Sequence, residues 1–368
     1  MAVITIRQRP QRGGRTANII GALALTLILS ACGEPAREAD DTPALQAVDW
    51  RLSSTYPSTL LQIGTMGKKL TEKLSALSGG RMKLNFHEPG VLAPPFETFD
   101  AVSYGAIEAG WSTSGYWAGK EPALQLFSAV PFGPRAAEYL AWFDHGGGRE
   151  LFEEIYHRHN IHGLICGLTP PEAAGWFREP INSAADFKGR KIRFFGLGGK
   201  VLEKLGAAPQ LIPGGEIFQA LELGAIDGTE YAMPAVDYRM GFYQVAKHYY
   251  FPGWHQQSTF FELIINLDSW RGLSDHQQLI IETACSANVR AGLSEGEALQ
   301  TEAMQKLEAK GVIFHTFSNE TLAALRQAWQ EVLTDLKAQD ETFARVWASL
   351  QAFREKYDAW EKRGYLDE

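Results

Sequence analysis

Residues 172–231 read EAAGWFREPINSAADFKGRKIRFFGLGGKVLEKLGAAPQLIPGGEIFQALELGAIDGTEY, and Lys191-Ile192-Arg193-Phe194-Phe195 lies at the centre. The apolar, β-prone residues around Arg193 predict a short buried strand. An arginine in that setting must find a partner, because an unpaired buried charge loses its hydration uncompensated. Its planar fork of donors fits a carboxylate two bonds at a time. The residues alone leave two partners open. One is an internal acid, with Glu222 or Asp227 nearby in sequence; the other is the carboxylate of a ligand, for which the chain would keep the fork unsatisfied.

Outward from this strand, strand and helix patterns alternate. Residues 50–52, 82–86, 106–111 and 161–166 read as strands, as do segments near Ile192, Gln210-Leu211 and Ile226. Residues 64–77 carry Met66, Leu70, Leu74 and Leu77 at helical spacing and stop at Gly79-Gly80. Helices are also expected at 96–104, 151–159, 322–336 and 343–360, with a long one from Ser274, as N-cap, to 309. Residues 260–266 read as a fully buried strand and 312–316 as another, while Gly196 to Lys200 reads as a glycine-rich turn. The alternation predicts an α/β class, and a chain of 368 residues predicts two lobes.

A formal net charge of −8 argues against nucleic acid as a partner, since phosphate contacts need clustered cations. Before residue 32 stand Arg7, Arg9, Arg12 and Arg15 with no acid, then an apolar run over 19–31, too short for a span of roughly 20 residues. Leu29-Ser30-Ala31-Cys32 looks like a lipobox, so 1–32 is expected to be a lipoprotein signal peptide lipidated at Cys32, followed by a flexible tether over 33–48. Cys166 and Cys285 could bridge in an oxidising compartment but do not make a disulfide framework, and two buried free thiols are the favoured expectation. No His/Cys cluster has structural zinc spacing.

Several motifs stand in one order: Gly175-Trp176-Phe177, Asp186-Phe187-Lys188-Gly189, the Arg193 strand, Leu205-Gly206, Pro209-Gln210 and ALELGAID over 220–227. That order resembles the extracytoplasmic solute receptors of tripartite ATP-independent periplasmic (TRAP) transporters. Ala129-Val130-Pro131-Phe132-Gly133, Gly146-Gly147-Gly148 and Tyr249-Tyr250-Phe251-Pro252-Gly253-Trp254 are similar to the branch that binds 2-oxo acids such as pyruvate. The resemblance runs from Asp49 nearly to the C-terminus. It implies a two-lobed periplasmic-binding-protein fold with mixed sheets, hinge-linked lobes and long C-terminal helices. One lobe would be 49–166 with 258–310, the other 167–257 with 311–368, and the crossings would fall near 166–167 and 254–258.

The resemblance also implies a function: capture of a small organic acid between the lobes, for delivery to a membrane permease. Arg193 would grip the ligand carboxylate. Glu230 and the Tyr231 carbonyl would hold a sodium or calcium ion bridging to the ligand, and no organic cofactor is implied. Two positions depart from the branch, which has Trp where Tyr231 stands and a neutral Gln where Glu172 stands. Glu172 is still expected at cation and ligand, with three outcomes open: a divalent cation, a ligand bearing an amine, or a protonated carboxyl. Tyr56, Tyr116 and His255 are expected at the ligand, with His255 on a polar rim. Trp117, Trp176 and Phe194 are further candidate walls, and Phe242 and Trp254 are packing residues. The long C-terminal helices allow a homodimer, and Cys32 would anchor the periplasmic receptor to a membrane.

Other classes fit less well. Gly196-Leu197-Gly198-Gly199-Lys200 is no phosphate loop, since Phe194 and Val201 stand where Gly and Ser or Thr are needed. Glu172 and Glu230 resemble a glycosidase pair, but Arg193 between them would keep both ionised. The alternatives kept are a periplasmic lyase or hydrolase on a similar scaffold and a sensory receptor.

Overall fold

A computed structural model describes residues 45–366. The lipobox and most of the expected tether lie outside the described residues. The strands are β1 (Val48–Ser54), β2 (Met82–His87), β3 (Ala109–Ser112), β4 (Ile161–Thr169), β5 (Gly175–Phe177), β6 (Lys191–Arg193), β7 (Ala208–Gln210), β8 (Gly228–Thr229), β9 (His248–Phe251), β10 (Thr259–Asn266) and β11 (Ile313–Thr316). The first helices are α1 (Ile63–Leu77), α2 (Thr98–Ser103), α3 (Ala136–His145), α4 (Gly148–His157), α5 (Gly196–Lys204) and α6 (Ile217–Glu222). They are followed by α7 (Pro234–Met240), α8 (Leu267–Arg271), α9 (Asp275–Ala309), α10 (Asn319–Gln339) and α11 (Glu341–Gly364). Among the described residues no helix is long and apolar enough to cross a membrane.

The strands form two mixed sheets, ordered β2-β1-β3-β10-β4 and β11-β9-β5-β8-β6-β7. In the first, β1 pairs parallel with β2 and β3, while β10 runs antiparallel between β3 and β4. All eight residues of β10 are buried, which explains its unbroken apolar run. In the second sheet β6 lies parallel between β7 and β8, with Arg193 opposite Thr229. The arrangement is the two-lobed α/β fold expected.

The chain passes between the sheets after β4, after β9 and again from β10 through α9 to β11. β4 continues to Thr169, so the first passage lies at residues 170–174 rather than 166–167. Pro170 and Pro171, lacking N–H donors, end the strand there. α9 begins at the expected Ser274 cap, whose Oγ accepts from Gln277 N while Gln277 Oε1 accepts from Ser274 N. It packs on β4 and α1 and also reaches α7. α9 can approach so closely because Gly292 faces Met66 and the Leu168 carbonyl with no side chain of its own.

That approach corrects the expectation of free thiols: Cys166 on β4 and Cys285 on α9 form a disulfide. Residues 196–200 are not a turn but the start of α5. Their glycines serve close packing, since a Cβ at Gly198 would stand 2.4 Å from the Phe194 ring. The C-terminal segment also divides. α10 packs on α5 in the second lobe, but α11 returns to α3 and α4 of the first. Phe343, Val346, Trp347 and Leu350 are its buried face, and Trp142 Nε1 donates to Ser349 Oγ at 3.2 Å. Residues 311–368 are therefore shared between the lobes rather than held in the second.

Glu262 is a carboxyl inside the first sheet. Trp117 Nε1 donates to its Oε1 at 2.7 Å and Tyr156 Oη to its Oε2 at 2.6 Å. Burial pushes it up to about 7 despite those donors, against roughly 4.3 in an unfolded chain. The native state therefore holds a proton that the unfolded state has lost, and stability falls as pH rises through that window. Glu262→Gln keeps an acceptor for Trp117 and offers a donor to Tyr156. Denaturant unfolding at pH 5 and pH 8 should show this variant losing less stability than the parent, by about 2–3 kcal/mol. Equal losses would show that Glu262 titrates normally.

Candidate functional site

Loops and strand ends from both sheets meet around a small cavity of about 20 Å³. From the first sheet come Tyr56, Thr113, Tyr116, Thr259 and Phe261; from the second come Glu172, Arg193, Phe195, Tyr231 and Gln256. Tyr56 follows β1 in a turn fixed by Ser54 Oγ, which accepts from Tyr56 N and donates to Tyr56 O. Tyr116 follows β3 and packs its ring against Tyr56 at 5.6 Å and Phe195 at 5.3 Å between centroids.

Arg193 is 2% exposed at the end of β6. Its Nη1 donates to the Glu230 carbonyl at 2.8 Å and to Glu230 Oε1 at 2.7 Å, and its Nε donates to the Ile212 carbonyl at 3.2 Å. The internal acid is thus Glu230. Glu222 is exposed and Asp227 accepts from Lys191 N at 2.8 Å. This corrects the expectation of a wholly unsatisfied fork: Glu230 follows β8, the strand beside β6, and its N–H donates to the Arg193 carbonyl. Nη2 makes no hydrogen bond to any described residue, and Arg193 lines the cavity. The guanidinium lies 5.3 Å from the centroid of the Tyr231 ring.

Beside it stand three buried groups, Glu172, Glu230 and His255. Gln256 Nε2 donates to Glu172 Oε1, and Phe195 N joins Arg193 on Glu230 Oε1. Each carboxylate therefore has one oxygen held and one, Oε2, without a partner. His255 Nε2 lies 3.7 Å from Glu172 Oε2 and 3.8 Å from Glu230 Oε2, ion-pair distances too long for hydrogen bonds. His255 is fully buried behind the carboxylates, not on the expected polar rim. It is wedged against Phe194 and Trp254, with Gly198 leaving room for its Cβ.

Burial pushes Glu172 up to about 8, with the Glu230 charge adding to the rise and His255 opposing it. Burial acts the same way on Glu230, but Arg193 overcomes it and holds that carboxyl below its ordinary value. For His255 burial pulls down, while the two carboxylates win and raise it to about 8. Glu172 Oε2, Glu230 Oε2, Gln256 Oε1 and Thr259 Oγ1 are all buried without partners. Hard oxygen donors left over in this way fit a cation.

Trp117 and Trp176 do not line the cavity. Trp117 bonds Glu262, and Trp176 stacks on Tyr249 at 3.8 Å and donates to Asp237 Oδ2 at 2.8 Å. Sequence reasoning missed Thr113, Phe195, Thr259 and Phe261; the last two lie on β10, a strand buried on both faces, where period-2 exposure is absent. A wider groove runs between α9 and α3–α4, lined by Leu140, Phe143, Val289 and Leu293. Its charged residues are not buried and do not converge, so the chemistry points to the smaller cavity.

Two α/β lobes closing over a buried arginine and a cluster of partnerless oxygens define a receptor for a small polar solute. The chain belongs to the DctP family, bacterial extracellular solute-binding protein family 7, whose profile matches residues 52–340. It is 34% identical over 328 residues to a monocarboxylate 2-oxoacid-binding periplasmic protein of Nostoc sp., covering 88% of this chain and 89% of that one. A TRAP transporter solute-binding protein of Bordetella bronchiseptica, solved with calcium and picolinate, is 33% identical with a TM-score of 0.84. That match covers 86% of this chain and 94% of the other. A TRAP periplasmic solute-binding protein of Pseudoalteromonas atlantica, solved with sodium and pyruvate, is 32% identical with a TM-score of 0.83, over 86% and 97% of the chains.

The Glu172 loop leans on Gly253, where an added Cβ would lie 2.1 Å from the Glu172 carbonyl oxygen. Gly253→Ala should lower stability by about 1–3 kcal/mol through this overpacking. Urea unfolding checks it, and a variant as stable as the parent would show that the loop moves aside without cost.

Proposed function

We propose that this protein is the extracytoplasmic receptor of a TRAP transporter and that its solute is a small 2-oxo monocarboxylate held together with a cation. The observation that carries the reading is the free edge of Arg193 at a closed aromatic cavity, next to carboxylate oxygens that lack partners. The ligand carboxylate accepts from Nη2. Glu172, Glu230 and the Tyr231 carbonyl hold the cation, which supplies a positive charge shared with the ligand oxygens. Tyr56, Tyr116, Phe195 and Phe261 wall the small space between the lobes, which favours a ligand of few atoms. The Nostoc, Bordetella and Pseudoalteromonas relatives support this ligand class.

The roles are those of binding, and the reading assigns no catalytic residue. Closure of the lobes excludes water and strengthens each charged contact. The loaded receptor then docks to a membrane permease. Lipidation at Cys32 would tether it, a reading that rests on Leu29-Ser30-Ala31-Cys32. A second copy of the chain remains a proposed partner, with Trp360 and Tyr365 exposed near the end of α11.

Calorimetry with a panel of 2-oxo acids, amino acids and dicarboxylates tests the reading. Arg193→Lys keeps the charge but loses the fork, and should weaken binding about 10- to 100-fold. Full affinity in that variant, or no binding of any 2-oxo acid by the parent, would overturn the proposal.

A further inference from the structure

We propose that Phe132 and Arg326 form a latch between the lobes, and that both are positioning residues for solute retention although neither lines the cleft cavity. The inference rests on the reading of the chain as a receptor whose lobes close over a solute. Phe132 lies in the first lobe, a few residues ahead of α3. Its φ is 52°, in the left-handed region that a bulky side chain rarely adopts. Such a conformation persists only where the surroundings fix it, and it points to a function for the residue so held.

The surroundings fix every part of Phe132. Its N–H donates to the Trp254 carbonyl at 2.7 Å, on the second passage between the lobes. Its carbonyl accepts from Arg354 Nη1 at 3.0 Å, on α11 where that helix packs against α3 and α4. Its ring lies 5.8 Å from the Trp254 ring, and the Arg326 guanidinium stands 4.0 Å from its centroid. Arg326 belongs to α10, which packs on α5 in the second lobe. The stack of Arg326 on Phe132 is therefore a contact from lobe to lobe.

Two further observations tie this contact to the solute. Trp254 also stacks on Phe194, at 5.8 Å, and Phe194 is the residue after Arg193. A continuous run of contacts, Arg326–Phe132–Trp254–Phe194, thus leads from an exposed helix face to the strand that carries the solute-binding arginine. The acids beside Arg326 are also engaged elsewhere: Glu138 accepts from Arg354 Nε at 3.0 Å, and Glu361 lies 3.8 Å from Arg135. Arg326 makes no ion pair among the described residues, so the negative face of the Phe132 ring is what holds its guanidinium.

Rotation of one lobe on the other moves Phe132 with Arg354 and α3, and Arg326 with α10 and α5. The ring then parts from the guanidinium. The latch favours the closed arrangement without touching the solute, so its loss speeds release more than it slows capture.

Stopped-flow kinetics with pyruvate as the probe test this in the whole protein. Arg326→Gln, a change at an exposed position, and Phe132→Leu should each raise the dissociation rate about fivefold, with association within about twofold. Arg326→Lys, which keeps a cation, should restore most of the parent rate. The double variant should be no worse than either single one, as expected of partners in one contact. A release rate in Arg326→Gln equal to the parent's, or effects that multiply in the double variant, would overturn the latch. A merely structural contact would lower the unfolding midpoint and leave release unchanged. Spin labels at Leu77→Cys on α1 and Leu223→Cys after α6, both exposed, give a second readout. In ligand-free protein Arg326→Gln should lengthen the distance between them, and an unchanged distribution overturns the proposal. Pyruvate bound by the parent and released at the same rate by Arg326→Gln leaves the receptor reading standing. If the parent binds no 2-oxo acid, that reading falls, and the label distances alone decide the latch.

Discussion

The site is organised by one buried ion pair, Arg193 with Glu230, at 2.7 Å between side chains that are 2% and 1% exposed. Two neighbouring parallel strands bring it about. Glu230 N donates to the Arg193 carbonyl, and Arg193 Nη1 donates back to the Glu230 carbonyl and carboxylate. Removing either partner would leave an uncompensated charge in the interior, at a cost of about 3–5 kcal/mol. The pair has two consequences. It keeps Glu230 ionised against burial, so one oxygen stays available to a cation. It also fixes the guanidinium plane, so that its unbonded edge belongs to the cavity rather than to the core.

The rest of the molecule holds the two halves of that cavity in register. Tyr56 and Tyr116 hang from the ends of β1 and β3, while Arg193 and Glu230 hang from the ends of β6 and β8. Strand ends are where side chains can leave the packed layers without exposing backbone groups. Several elements belong to both lobes: α9 touches α7, α10 and α11 divide between the lobes, and Phe132 N donates to the Trp254 carbonyl at the second passage. These shared elements tie the two lobes together beyond the connecting residues.

Much of this was legible in the sequence, and the physics says which parts. The long elements carried their own punctuation: α9 starts at its Ser274 cap, and α1 ends where Gly79-Gly80 begins. The buried Arg193 strand signalled itself because a charge among Ile and Phe has to be explained. What stayed hidden depends on three-dimensional neighbours. β5, with Gly175 at a φ of 138°, is three residues long and has no periodicity to read. The disulfide depends on how closely α9 approaches β4. The burial of His255 depends on Gly198, 57 positions earlier, being too small to displace it. Glu230 as partner of Arg193 followed from neither spacing nor composition, but from β6 and β8 lying side by side.

A protein with formal net charge −8 gains little by drawing an anion in from a distance. Its field opposes capture only weakly, because salt screens exposed charges beyond about 10 Å. Affinity in the proposed receptor must therefore arise after contact, from charges already removed from water. The same Coulomb attraction that is worth about 1 kcal/mol at 4 Å in water becomes several-fold stronger once water is excluded. This favours the arrangement seen: the Arg193 guanidinium and the Glu230 carboxylate are kept charged away from water, beside walls formed by Tyr56, Tyr116, Phe195 and Phe261. Tyr231 contributes in kind. Its ring lies under Arg193 and its hydroxyl fits only because Gly214 has no side chain, a Cβ there coming within 2.2 Å. An aromatic face beside a desolvated cation returns some of the attraction lost with water, and Tyr231 supplies that face to Arg193.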